Sequence, residues 1–433
     1  MTGETSRVER FERVQRFERV GDAARGGSAA LLSGGVEHSL AWFEAEEGRI
    51  SPTHHYLAVR GARGAVAALA ACYPVPHTAA HRAYAAREVL LGDPCRALTD
   101  RIPGDGQGGG ERGGERGGER AAAEARLAAL RDRLPPAATD TLAVVTPGSV
   151  RPGVVGRPAG TRAERLATVG SLVTAVEELA AELSLPVVLF GHLRDEPADA
   201  DLHHVLGARG YAAVTVGADA VLDARFADLD AYFASFPERR RRALRRERRR
   251  FLDAAPGVTL HGPEGLTPDL VQLQLDRYRR YGHRGDAGAV IDRFARAARI
   301  PGLKVLRADA ATGPMGFVAF YEDLPGRRLV PRLGAAVRAD AFSYFNVTYY
   351  ELVAHAARLG GVRIHYGDST YRAKTLRGCR LVRLTTYVRS PDPRLNALLR
   401  DAGALRTRLE EGELPALAHG TARHGTAPGR RDA

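Results

Sequence analysis

Lysine is almost missing from this 433-residue chain: only Lys304 and Lys374 occur, so arginine supplies 61 of the 63 basic residues. So strong a skew, alongside abundant alanine and glycine, marks a GC-rich coding bias and weakens the case for reading every arginine as functional. It also makes each retained lysine informative, because a compact ammonium and a planar guanidinium are not interchangeable. Cysteine is scarce too. Cys72, Cys95 and Cys379 are too few and too scattered for a disulfide framework or a cysteine-based zinc site, so a reducing cytoplasm without a metal is the expectation. No apolar run approaches the roughly 20 residues of a membrane helix. The opening MTGETSRVERFERVQRFERV also lacks the apolar stretch of a secretion signal.

What is present is a globular composition, 44% hydrophobic and 26% charged, in a chain long enough for two compact units. A formal charge of +12 directs attention to anionic partners. Residues 1–30, with the near-repeat RFERV, read as a tail. Two apolar runs, Tyr56–Arg60 and Ala65–Tyr73, flank a glycine-bearing turn and predict a hairpin. His54 and His55 precede it without a third ligand nearby and read as surface or capping residues. The segment GDGQGGGERGGERGGER at about 101–122 cannot bury apolar surface and reads as a flexible insertion inside the first domain. A strand at Thr141–Val145, a helix over about Arg162–Leu183 and a strand at Pro186–Phe190 follow. The glycine-bearing connection before that helix is either an ordinary βα loop or a phosphate-receiving helix N-terminus.

The second half opens at Asp228. Ser235, Pro237 and Glu238 predict a capped helix start, and nine arginines follow between Arg239 and Arg250. Leu244 and Phe251 keep a narrow apolar stripe, which leaves the arginines the remaining surface. That surface is either a solvated face or a phosphate-facing one, with Arg242 and Arg246 as candidate contacts. Two further amphipathic helices precede three strands, Leu303–Ala308, Met315–Tyr321 and Leu329–Ala336, which read as an antiparallel meander. The stretch Phe342–Val388 then carries a tyrosine-rich helix, a strand at Arg363–Tyr366, a loop and a closing strand. After Asp392 a short helix and a polar, disordered tail are expected.

The order of these elements, with YYELVAHAARLGGVRIHYGDSTYRAKTLRG near its end, resembles the Fem-like branch of the GNAT N-acyltransferase superfamily, which includes the BioF-like acetyltransferase domains. The resemblance is strongest over Asp228–Pro391 and extends faintly over 36–220. It implies an α/β (α+β) fold of tandem GNAT-like domains, each a mixed, largely antiparallel sheet flanked by helices. The domains would span 31–225 and 226–391, with a tail at 392–433. It also implies transfer of an acyl group onto the amine of a small molecule, peptide or cell-wall precursor. The donor is left open between an acyl-CoA and an aminoacyl-tRNA. The [RQ]xxGxG/A loop of acetyl-CoA enzymes has no counterpart here; VRPGVVG at Val150–Gly156 differs in spacing.

Acyl transfer to an amine needs a proton acceptor, a cradle for the oxyanion and a proton for the leaving group. Under the resemblance, Lys374 supplies positive charge, Asp368 accepts or orients a proton, and Tyr371 donates one. Arg377, Tyr344, Tyr349 and His365 are candidate substrate or donor contacts. Structural readings stand beside these: turn chemistry for Asp368, core-edge packing for the tyrosines and a satisfied core position for His365. A non-catalytic nucleic-acid-binding protein is the alternative from another class.

Overall fold

A computed structural model describes residues 14–29, 32, 35–60, 66–79, 84–92, 115–156, 160–254, 256–280, 284–337 and 342–418. The strands are β1 (Val14–Phe17), β2 (His55–Arg60), β3 (Val66–Val75), β4 (Thr141–Val144), β5 (Val154–Val155), β6 (Val187–Arg194) and β7 (Ala212–Ala224). They continue with β8 (Gly257–His261), β9 (Leu303–Ala310), β10 (Gly313–Asp323), β11 (Arg328–Ala336), β12 (Val362–His365) and β13 (Arg380–Arg389). The chain divides into two compact units. Among the described residues the first lies within 14–92, 115–219 and 382–412, and the second within 220–381 and 413–418.

In the first unit the strand order is β1-β2-β3-β4-β6-β13-β7. β2 and β3 pair antiparallel from His55↔Cys72 to Arg60↔Val66, which is the expected hairpin; its turn lies outside the described residues. β4 and β6 run parallel across the helix Arg162–Glu182, as a βαβ crossover requires. Both faces of this sheet are covered, so side chains alternate between two cores. Leu57, Ala70, Leu142 and Phe190 pack on the side of Arg162–Glu182. Tyr56, Leu69, Ala143 and Leu189 pack on the side of Leu399, Ala402 and Leu405. Burial on both faces explains why these strands read as continuous apolar runs.

Four sequence expectations change in this unit. Residues expected in an N-terminal tail instead form β1, which pairs with β2 through Val14↔Val59 and Phe17↔Tyr56. Residues 101–114 of the expected insertion lie outside the described residues, and from Glu115 the same glutamate-arginine text is already helical to Arg133. The C-terminal segment is one long helix, Pro393–Ala418, because Leu399, Ala402, Leu405 and Leu409 recur on one face and complete the core; residues 419–433 lie outside the described residues. His55 is buried rather than superficial, with Arg16 Nε donating to its Nδ1 at 3.3 Å.

In the second unit the order is β7-β12-β11-β10-β9-β8, and β9, β10 and β11 form the expected meander. One face carries Leu306, Val318, Phe320 and Leu329, packed with Tyr232, Leu244, Phe251 and Tyr350. On the other face Phe294 meets Phe317 edge-on at 5.9 Å, and the Tyr321 hydroxyl donates to the Ala297 carbonyl at 3.2 Å. The expected capping box at Ser235 is absent. Ser235 Oγ donates back to the Tyr232 carbonyl at 2.7 Å and ends the helix Leu229–Ala234, while Pro237 opens Glu238–Asp253 without a side-chain cap.

Candidate active site

In the second unit β11 and β12 are parallel neighbours, yet they pair at only two positions, Arg328↔Arg363 and Leu329↔Ile364. β11 then runs on to Ala336 without that partner. Two local features accompany the parting. Pro331 lacks an N–H and cannot extend a ladder, and the β10 register slips between Ala319 and Phe320, which leaves Arg332 as an extra residue opposite them. Beyond the end of β12, Tyr366 stacks on Tyr349 with ring centroids 4.6 Å apart. Tyr349 belongs to a π-helical turn, Asn346–Glu351, and the Tyr366 hydroxyl donates to the carbonyl of Thr348 within that turn at 3.2 Å. Such turns are frequent at functional sites.

The loop that follows β12 is the most unusual backbone in the unit. Gly367, Ser369 and Thr370 all have positive φ, at 72°, 64° and 46°. For a β-branched threonine that conformation is strained, so something must over-determine it. Lys374 does. The residue is 5% exposed, and its ammonium donates to the carbonyl oxygens of Tyr366 at 3.0 Å, Gly367 at 3.1 Å and Asp368 at 2.5 Å. A trans peptide points its N–H opposite to its C=O, so the amides of Gly367, Asp368 and Ser369 are directed away from the lysine. The N–H groups of Asp368 and Ser369 meet no acceptor among the described residues. Successive outward N–H groups form an anion-binding concavity. Beside them the Asp368 side chain is exposed and has no charged partner among the described residues.

Beneath this loop lies a buried polar network that the sequence reading missed. Glu247, 9% exposed, receives the Tyr350 hydroxyl and, at 2.8 Å, the Arg377 guanidinium. Arg377 also donates to the Ala373 carbonyl at 3.0 Å and lies over the Phe345 ring at 3.5 Å. Arg240 Nε donates to the Leu376 carbonyl at 2.8 Å, and burial together with the neighbouring Arg377 charge pulls its pKa down. The signal for Glu247 was present in the sequence. It sits between Leu244 and Phe251 on the apolar stripe of the arginine helix, the one position there where a carboxylate has no reason to face water.

The expected site residues therefore divide. Lys374, Asp368 and Arg377 come together around one loop, but the Lys374 and Arg377 side chains are committed to protein partners and do not face a ligand. Tyr371 is buried at the start of the short helix Tyr371–Thr375. Tyr349 is fully buried, and desolvation holds its hydroxyl protonated. Tyr344 is half-buried against Phe345 and Tyr349. His365 is buried within β12 opposite Val221. Neither described cysteine is a nucleophile, since both are buried and burial pushes the Cys379 thiol up to about 12. On the helix Glu238–Asp253, Arg239, Arg242, Arg245, Arg246, Arg249 and Arg250 are exposed. At 3.6 residues per turn they share an arc of about 140°. Arg242 pairs with Glu238 at 2.6 Å, whereas Arg239, Arg245, Arg246 and Arg249 have no partner among the described residues.

In the first unit the described residues after β4 are tied down by internal hydrogen bonds. Trp42 Nε1 donates to the Pro147 carbonyl at 2.9 Å, Thr146 Oγ1 to that of Pro152 at 2.7 Å, and the Gly148 N–H to the Tyr84 hydroxyl at 3.1 Å. The N-terminus of Arg162–Glu182, weighed above as a phosphate site, is closed by a Thr161–Glu164 capping box whose carboxylate occupies the place of an anion.

No family model matches the sequence, and no curated protein matches it. The structure of FemX overlays 89% of this chain and 100% of its own with a TM-score of 0.55 at 10% identity. The fold is FemX-like. The expected α/β class, with a mixed sheet flanked by helices, holds. A tandem GNAT protein from the clavulanic acid biosynthesis pathway covers 88% of this chain and 99% of its own at 12% identity, TM-score 0.42. L-PGS from Bacillus licheniformis covers 62% and 82% at 14% identity, TM-score 0.42. At 10% identity the FemX overlay shows the fold alone, and the two lower scores carry no argument. No helix among the described residues is long and apolar enough to cross a membrane.

Proposed function

We propose that the protein is an N-acyltransferase whose reacting carbonyl is held at the Asp368–Ser369 loop. The observation that supports this reading is the pair of outward N–H groups beside an exposed carboxylate, on a loop fixed from behind by Lys374. In the reaction an amine adds to the acyl carbon of an ester or thioester. The two N–H groups receive the charge that develops on the carbonyl oxygen, a contribution of about 3–4 kcal/mol per donor in comparable sites. The Asp368 carboxylate takes the proton released by the attacking nitrogen. The C–O or C–S bond then breaks, Asp368 hands that proton to the departing oxygen or sulfur, and the amide and the free alcohol or thiol are left. Lys374 and the Glu247–Arg377 pair are positioning residues that hold the loop. In this reading the half-buried Tyr344 is an aromatic contact for the substrate.

Within that reading we take the donor to be an aminoacyl-tRNA. Six arginines on one exposed helical face suit a polyphosphate backbone better than the single diphosphate of a coenzyme. The acceptor is an amine of a small molecule, peptide or cell-wall precursor. The test incubates the full chain with a pool of amines and either charged tRNA or acyl-CoA and reads new amides by mass. Amide formation from charged tRNA supports the whole reading, and formation from acyl-CoA keeps the transferase but reassigns the donor. If neither donor is consumed and tRNA still binds, the protein is a nucleic-acid-binding module instead.

A further inference from the structure

The first unit contains a cavity of about 700 Å³ that plays no part in the proposed transfer. It lies at the C-terminal end of β6, a common location for ligands in sheets with parallel strands. Asp195 and Glu196 line it from the loop after β6, and Arg383, Thr385 and Tyr387 line it from alternate positions of β13. Glu411, on the C-terminal helix, is already engaged by Thr215 Oγ1 at 3.3 Å and by Arg383 at 3.4 Å. Asp195 has no charged partner among the described residues, and Glu196 lies 3.7 Å from the Arg194 guanidinium.

The hydrogen bonds of His203 determine what the cavity wall offers a ligand. Its Nε2 lies 2.9 Å from the carbonyl oxygen of Arg194, which can only accept, so Nε2 carries the proton. In the neutral ring Nδ1 is then an acceptor, and the Tyr387 hydroxyl 3.0 Å away must donate to it. With the ring in that neutral tautomer, Tyr387 Oη presents lone pairs to the cavity. The wall thus offers the Asp195 carboxylate, the Glu196 carboxylate at the far edge of the Arg194–Asp219 ion pair, and a phenolic oxygen whose proton is directed at His203, while Arg383 is neutralised by Glu411. A wall of acceptors carrying net negative charge rejects carboxylates and phosphates and selects a cationic N–H donor.

We propose that this cavity binds an organic ammonium group, with Asp195 and Glu196 supplying charge and Tyr387 a directed acceptor. The site lies wholly in the first unit and does not rest on the acyl-transfer reading, so its failure would leave that reading untouched. The test uses the full-length protein and saturation-transfer NMR with n-butylammonium, n-butanol and butyrate as probes of equal size. Saturable binding of the ammonium alone is expected, weakened about tenfold or more in the double variant Asp195→Asn/Glu196→Gln. Tyr387→Phe, which keeps the ring, is expected to weaken it as well, and decides the matter should the double variant melt early. Absence of saturable ammonium binding, equal binding of butanol or butyrate, or unchanged affinity in the variants would overturn the proposal.

Discussion

Lys374 Nζ lies 2.5 Å from the carbonyl oxygen of Asp368, and the same ammonium holds the two preceding carbonyls. One compact cation thereby fixes the direction of three consecutive peptides. Lys374→Met keeps the stem but leaves the Tyr366 and Asp368 carbonyls unpaired beneath a strained loop, while that of Gly367 retains the Ala220 N–H at 3.0 Å, so a loss of about 2–4 kcal/mol is expected. Lys374→Arg should not restore it, because a planar fork cannot converge on three carbonyls. Urea midpoints of the three proteins check both statements; an arginine variant as stable as the wild type would contradict them.

Arg377 and Glu247 are both buried, and each is the other's charge partner. Arg377→Leu strands a carboxylate and should cost about 3–5 kcal/mol. The pair variant Glu247→Leu/Arg377→Leu should cost clearly less than the sum of the two single changes, because no lone charge remains. A double-mutant cycle in denaturant reads the coupling, and additive costs would show that the pair is not one unit.

His355 gives the second unit a pH dependence of known sign. Burial lowers its pKa, more than the Glu322 carboxylate 2.6 Å away raises it. Its folded value therefore lies below the ordinary value of about 6.5. The unfolded chain takes up the proton first, so the stabilising contribution is complete above that ordinary value and is lost as pH falls through it. His355→Gln should flatten the fall in the urea midpoint between about pH 7.5 and 5.5. An equally steep fall in the variant would remove His355 as its source. His55 shifts in the same direction in the first unit and contributes to both curves.

Arg242 and Arg246 lie on the exposed face of their helix and take no part in the core. Alanine at both should leave the circular dichroism spectrum and melting temperature unchanged. It should weaken tRNA binding and reduce the slope of log K against log salt by about one for each phosphate that is no longer neutralised. An unchanged slope would place the polyanion elsewhere.

Much of the fold was legible because its cause is local. The β2–β3 hairpin, the β4–helix–β6 unit and the β9–β11 meander follow from periodicity and turn residues. β1 and the helix Pro393–Ala418 were hidden because each is stabilised by partners distant in sequence: Val14 by Val59, and Leu399 by the first unit's core. Lys374 stood out by composition alone, but a string of residues cannot separate an ammonium facing a substrate from one facing three carbonyls. The direction of the Asp368 and Ser369 amides depends on positive φ at non-glycine residues, which sequence does not announce. Glu247 was readable in principle as a charge on an apolar stripe, and nine surrounding arginines obscured it.

The outward N–H of Ser369 is the group on which the proposed transfer depends most. Replacing Ser369 by its α-hydroxy acid counterpart in semisynthetic protein exchanges that N–H for an ester oxygen and keeps the side chain. Amide formation from the donor found in the screen is then measured at saturating acceptor. A drop in kcat of about 10²–10³ with an unchanged melting temperature is the result predicted. A kcat equal to that of the all-amide protein would contradict the assignment of this loop as the oxyanion site.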